Sequence, residues 1–285
     1  LEPDLRWYGP DSADYYPRYG LKSNTGWREL LNLIDIINHR PTEIETVLNV
    51  DRALWYLAVS TVIANYDTYN GIYVHNFYLY LHENGQFQII PWDLSESFIG
   101  ALLGANGLNA NALYAYDPMP INKGRPLIDL INNNLFYKRQ FYAHIRTILD
   151  EVMDRSTLNV EIDSLQNRIS TAMAADPYAF LGMGDAHFRS NVHSDLRLPF
   201  IQIGGILNTV VGRKNVLLNH PEINNTPPDI SQVSRTSLYP QPNDKVNVRA
   251  TVANATLVQL MVTKNKYASH FEPVQMRDDG LHDDG

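Results

Sequence analysis

Apolar residues recur at helical spacing along the first part of the chain and switch, near residue 77, to strict alternation. Trp27, Leu30, Leu31, Ile34 and Ile37 form one stripe with a period of 3.6 residues, which predicts an amphipathic helix. Thr25 is its expected N-cap. A short helix is expected over Thr42 to Leu48, after Pro41. A longer one is predicted from about Asp51 to about Asn65, with Leu54, Leu57, Ala58 and Thr61 facing inward. Phe77, Leu79 and Leu81 then alternate with Tyr78 and Tyr80, and Phe87 and Ile89 alternate with Gln88 and Ile90. Asn84-Gly85 between the two runs predicts a two-residue hairpin turn, because both turn positions need positive φ. Such a turn places Asn76 opposite Asp93, with Cβ atoms about 4.5–5.5 Å apart. Pro91 has no N–H to give to the ladder, so the pairing is expected to bulge or stop before Trp92.

Residues 99–124 carry Gly, Asn and Ala without a period and read as a long loop; residues 1–24, rich in Tyr, Pro, Gly and Asp, read as an ordered one. Helical spacing returns at about 126–133, 135–153 and 160–174, and a last helix is expected within 196–218. Pro221, Pro227 and Pro228 mark a linker. Beyond it, Lys245–Ala253 and Thr256–Thr263 read as strands of a new all-β unit. The predicted fold class is α+β. One domain covers 1–222, mostly helical with a single β-hairpin, and a partial all-β sandwich covers 223–285.

Composition narrows the chemistry. With 44% hydrophobic and 19% charged residues, the 285-residue chain is of globular type. No apolar run reaches the roughly 18 residues of a membrane span. A formal charge of −8 argues against nucleic-acid phosphate as the main partner. The absence of cysteine removes disulfides, thiolate metal sites and cysteine nucleophiles. Phosphate loops of the Gly-x-Gly-x-x-Gly and Walker types and a serine nucleophile elbow are absent too. Gly182-Met183-Gly184 and Gly204-Gly205 read as loop or helix-end residues. The first residues lack the features of a signal peptide, and the chain reads as a fragment cut at both ends.

The remaining chemistry gathers around the hairpin. Asp67 precedes its first strand and Asp93 follows its second, so both can meet at its open end with Asn76. An amide oxygen and one or two carboxylates suit Mg²⁺, a hard cation that shares its coordination shell with phosphates. The order Asp, Asn, hairpin, Asp is also that of the catalytic aspartate and the two metal ligands in protein kinases. Each residue alone has a plainer reading. Asp67 and Asp93 would be turn acids, Asn76 would bond the entering chain, His75 would be a structural histidine and Glu96 would face solvent.

Several blocks together resemble the CotH (spore coat protein H) kinase family. They are Tyr19-Gly20-Leu21-Lys22, Leu54-Trp55-Tyr56-Leu57-Ala58, Asn65-Tyr66-Asp67, His75-Asn76-Phe77-Tyr78-Leu79-Tyr80 and Ile90-Pro91-Trp92-Asp93-Leu94. Phe136-Tyr137-Lys138-Arg139-Gln140-Phe141, with His144 and Arg146 in the same helix, extends the likeness, which runs from about residue 5 to 222. The resemblance implies the C-terminal lobe of an atypical protein kinase fold. It also implies transfer of the γ-phosphoryl of ATP, with Mg²⁺ or Mn²⁺, to Ser or Thr of a surface or secreted protein rich in those residues. Carried over by motif, Asp67 resembles the catalytic aspartate and Asp93 the metal-binding one, with Asn76 inferred from geometry as a second ligand beside the nucleotide. In similar proteins an immunoglobulin-like module follows the kinase domain.

Two departures stand out. Ser95 occupies a position where the family often has Asp or Asn, and Ile99 separates Phe98 from Gly100. The lobe that would supply the phosphate-gripping lysine belongs upstream in the family's order, and Lys22 comes too late to fill that role. A non-catalytic pseudokinase or binding module of a surface protein is therefore the alternative expectation, and transfer to a glycan or small molecule a weaker one. Near the end, Asp278-Asp279-Gly280 and its partial repeat read as tight turns, lacking the spacing of a calcium loop.

Overall fold

The computed structural model describes residues 2–65, 67–71, 73–98, 124–178, 190, 192–197, 202–263 and 271–281. The chain divides into two units, residues 1–223 and 224–285. The expected loop at 99–124, apart from Gly124, lies outside the described residues. So do Gly182-Met183-Gly184 and the last residues of the acidic repeat.

In the first unit, helix α1 (Trp27–His39) buries Leu30, Leu33, Ile34, Ile36 and Ile37. It begins differently from the prediction. Thr25 is not the cap; Gly26 takes that position with φ 137°, a conformation that favours glycine, and no side chain bonds the helix start. A 3-10 helix (Pro41–Thr46) follows, then α2 (Val50–Val62). Asn49 caps α2 by accepting from the Arg52 amide at 3.0 Å. This helix is apolar nearly all round, as a central element must be. It packs on α4 and on the hairpin, and Leu54, Leu57, Ala58 and Thr61 are all buried.

Strands β1 (Phe77–Leu81) and β2 (Phe87–Pro91) form the antiparallel hairpin. Its second strand is anchored to the start of α2. Phe87 donates to Val47 O at 2.7 Å, Asn49 donates to Phe87 O at 3.0 Å, and Arg52 Nε reaches Ile89 O at 3.0 Å. Helices α3 (Pro126–Asn133), α4 (Leu135–Glu151) and α5 (Arg155–Ala175) follow. A two-residue ribbon, β3 (Leu196–Arg197) with β4 (Gln202–Ile203), precedes α6 (Ile206–Leu218). Arg213 of α6 is fully buried and donates to Thr61 O through Nε and Nη2 at 3.1 and 2.8 Å, closing the C-terminal end of α2.

The second unit holds β5 (Asp229–Arg235) paired with β6 (Val248–Ala253), and β7 (Gln259–Val262) paired with β8 (Glu272–Gln275). Both pairs are antiparallel, and each is a separate two-stranded sheet. Mixed helix and strand content agrees with the α+β expectation. Among the described residues, no helix is long and apolar enough to cross a membrane.

Candidate functional site

The hairpin's register corrects the sequence reading. Leu81 pairs with Phe87 and Phe77 with Pro91, one residue away from the expected alignment. The turn is longer than two residues: Gly85 N–H donates to His82 O at 2.9 Å and His82 N–H donates to Gln86 O at 3.0 Å. Gly85 alone in the turn has positive φ, at 86°; Asn84 does not. This is the three-residue turn closed by a left-handed glycine, the next commonest hairpin after the two-residue forms. Asn76 therefore faces Trp92, whose N–H it accepts at 2.9 Å, and not Asp93. Pairing continues past Pro91 because the bonded pairs His82–Gln86 and Asn76–Trp92 make Phe77–Pro91, by alternation, a pair that exchanges no ladder hydrogen bonds, so the missing N–H is not called on.

Asp67, Asn76 and Asp93 nonetheless flank the open end of the hairpin. Asn65 receives the Asp67 N–H on Oδ1 at 3.0 Å, which turns the chain out of α2. Asn76 Nδ2 donates to the Asp67 carbonyl at 3.0 Å and to its Oδ2 at 2.9 Å. His75 Nε2 pairs with Asp67 Oδ1. Both carboxylate oxygens of Asp67 are thus held, by consecutive residues at the start of β1. Below them, Asn70 Nδ2 bonds Thr61 Oγ1 at 3.1 Å, and the hydroxyls of Tyr56 and Thr68 bond each other.

Asp93 lies on the exposed side. Its Oδ1 accepts from Ser95 Oγ at 2.7 Å and from Ser95 N–H at 3.1 Å. The Ser95 hydroxyl, then the Ser95 amide and the charge field of His75, hold its carboxyl below the usual range. His75 contacts Asp67 and is felt by Asp93, so it stands in the neighbourhood of both carboxylates. Glu96 is exposed, as the plainer reading expected. The segment after Asp93 returns to α2, where Phe98 N–H donates to Ile63 O at 2.8 Å.

Backbone strain is concentrated here. Ala64, Asn76, Asp93 and Phe98 all have positive φ, at 50°, 59°, 45° and 60°. Non-glycine residues visit this region rarely, at about 1–2 kcal/mol for types such as Ala64 and Phe98 and less for Asn76 and Asp93, whose types tolerate it. The outer face of the hairpin is aromatic: Tyr78, Tyr80 and Trp92 are exposed, and Tyr78 meets Trp92 edge to face at 5.4 Å.

Carboxylate and amide oxygens are the donor types that Mg²⁺ takes. Asp93 keeps Oδ2, and Asn76 keeps its amide oxygen, clear of any partner among the described residues. No group of three or more His, Asp or Glu gathers for a metal among those residues. Motif order pointed to Asp67, Asn76 and Asp93; the roles of His75, Asn65 and Ser95 as their holders were missed. The i, i+2 spacing of an Asx turn was the available signal for Asn65 and for Asp93 with Ser95.

A family model described as CotH kinase protein matches residues 5–194. No curated protein matches the chain.

Proposed function

The chain belongs to the CotH kinase family, and from that premise we propose that it transfers the γ-phosphoryl group of ATP to Ser or Thr of a secreted or surface protein. The observation that carries this reading is the doubly held Asp67 carboxylate, whose partner His75 also acts on the ionised, outward Asp93. Asp67 would orient the acceptor hydroxyl, with His75 and Asn76 fixing the carboxylate's direction. Asp93 Oδ2 and the Asn76 amide oxygen would hold Mg²⁺ or Mn²⁺, which supplies charge neutralisation at the phosphates. The exposed Tyr78–Trp92 pair, continuous with Asp93, offers an aromatic surface on which a nucleotide base can rest. The second unit is taken as part of an immunoglobulin-like module that accompanies the catalytic domain.

The test is phosphate transfer from radiolabelled ATP to a Ser-rich acceptor by the full-length protein. Asp93→Ala is expected to lower the rate by about 10³-fold or more, the scale on which phosphoryl-transfer charge stabilisers act. Equal transfer by variant and wild type would remove the assignment. A second reading, a non-catalytic pseudokinase, is favoured by Ser95, which occupies one oxygen of Asp93 from both its amide and its hydroxyl. Calorimetric titration with Mg²⁺ and ATP separates the two: a catalytic lobe binds them together, and a binding module need not.

A further inference from the structure

The two oxygens of Asp93 are not equivalent. Oδ1 accepts the Ser95 hydroxyl at 2.7 Å and the Ser95 amide at 3.1 Å, while Oδ2 meets no partner among the described residues. The two bonds have different origins. An amide two residues on closes an Asx turn whatever its side chain, so the bond at 3.1 Å belongs to the turn. The hydroxyl is a second donor, added by the serine itself.

A carboxylate oxygen has about two lone-pair sites. On Oδ1 the turn fills one and the hydroxyl fills the other, which leaves none for a cation. Asp93 then offers a metal ion a single oxygen, Oδ2. Asn76 also offers one, its amide oxygen, while its nitrogen is held by Asp67. Divalent cations differ in what they need from such a pair. Mg²⁺ is small, keeps near-octahedral geometry at about 2.0–2.1 Å, and completes its shell with waters and phosphates. Ca²⁺ takes about 6–8 oxygens at about 2.3–2.6 Å, and a carboxylate that gives both of its oxygens helps to fill that larger shell. Withholding Oδ1 leaves Mg²⁺ its ligand and denies Ca²⁺ a second one.

We propose that Ser95 is a metal-selecting residue, whose hydroxyl keeps Asp93 to one oxygen and so favours Mg²⁺ over Ca²⁺. Ser95 would not touch the ion; it is a positioning residue that acts through Asp93. An aspartate at the same position would bring a second carboxylate and no second donor. The inference rests on Asp93 as the metal-binding aspartate of the kinase reading above.

The experiment is titration of the ¹⁵N-labelled full chain with MgCl₂ and, separately, with CaCl₂, followed at the amides of residues 93–97. Saturable shifts from Mg²⁺ are expected, and Asp93→Asn is expected to abolish them, which locates the ion. Ser95→Ala keeps the turn amide and frees one lone pair of Oδ1. It is expected to tighten Ca²⁺ relative to Mg²⁺ by about fivefold or more, whereas Ser95→Thr, which retains the hydroxyl, keeps the wild-type ratio. A ratio in Ser95→Ala within about twofold of wild type would overturn the inference, even if both ions bound more tightly, because a hydroxyl that only tempers the charge of Asp93 moves them together. So would an equal change in Ser95→Thr, or no saturable shift from Mg²⁺ in the wild type. Phosphate transfer by a protein whose ratio ignores Ser95 would sink this inference and leave the kinase reading standing. A Ser95-dependent ratio without phosphate transfer would count against the kinase reading alone.

Discussion

Asn76 holds a backbone conformation that most side chains avoid, and it does so while donating twice to Asp67. The two effects separate by mutation. Asn76→Ala loses both hydrogen bonds and keeps the strain of φ 59°, so it is expected to destabilise the protein by about 2–3 kcal/mol. Asn76→Gly loses the same bonds without the steric penalty and should recover about 1 kcal/mol of that loss. Urea midpoints of the two variants check the order; equal midpoints would show that the strain is not there. At this scale the sequence was legible in part. Asp67, Asn76 and Asp93 stand out as candidates because kinase order is a statement about chain order. The pairing of His75 with Asp67 was hidden, since it depends on a loop path between 67 and 75 that no periodicity describes. Asn76 was assigned the wrong partner for a different reason, which belongs to the hairpin as an element.

The two alternating runs predicted the hairpin correctly, but its register rested on the conformation of one residue. Asn84-Gly85 satisfies a two-residue turn with both φ positive and equally a three-residue turn with only the glycine positive. The structure takes the second, in which Asn84 Oδ1 accepts the Gln86 N–H at 3.1 Å and Gln86 Nε2 reaches Glu45 O at 2.6 Å. The first is a local i, i+2 contact, but the bond to Glu45 is tertiary and lies outside any local pattern. Gly85→Ala is expected to cost about 1–2 kcal/mol through φ 86° alone, because an added Cβ meets nothing within 4 Å. Gly85→Asn should cost less, as asparagine tolerates this region; thermal or urea midpoints decide the order. Helix α5 shows another limit of pattern. It starts at Arg155, ahead of the expected residue 160, because Asp154 caps it by accepting from Thr157 N–H at 2.9 Å. The Ser156 hydroxyl, then the Thr157 amide, hold the Asp154 carboxyl down at about 2. A depressed folded value means that the cap's stabilisation is complete above the ordinary value of 3.8 and is lost as pH falls through about 2. The stability difference between wild type and Asp154→Asn should therefore be constant above pH 4 and shift against wild type below it. A difference that stays flat down to pH 2 would contradict the cap.

Across the whole molecule, the contacts that assemble the site join segments far apart in sequence, where reading along the chain has least to offer. Strand β5 went unseen because Gln232, at φ 49°, sits in a break in register between Ser231 and Ser234 that interrupts its alternation. β8 carries Pro273, which argues against a strand by composition. Arg213, an ordinary charged residue of a late helix by sequence, proves to be fully buried at the end of α2. Tyr69 is the clearest case. Fully buried two residues after Asp67, it donates to Asp4 O at 3.1 Å and accepts from Leu127 N–H at 3.1 Å. One hydroxyl thereby ties the N-terminal loop and the first turn of α3 to the chain that presents the candidate catalytic aspartate. Burial pushes its pKa far up, so the hydroxyl remains a donor throughout the neutral range. Tyr69→Phe would leave a buried carbonyl and a buried N–H without partners, a change expected to cost about 1–3 kcal/mol. Tyr80→Phe, exposed on the hairpin's outer face, should fall within about 0.5 kcal/mol of wild type. Chemical denaturation of the two variants side by side measures the contrast. If Tyr69→Phe were as mild as Tyr80→Phe, the hydroxyl would not be what joins these segments, and the order of the Asp67 loop would have to come from its asparagines alone.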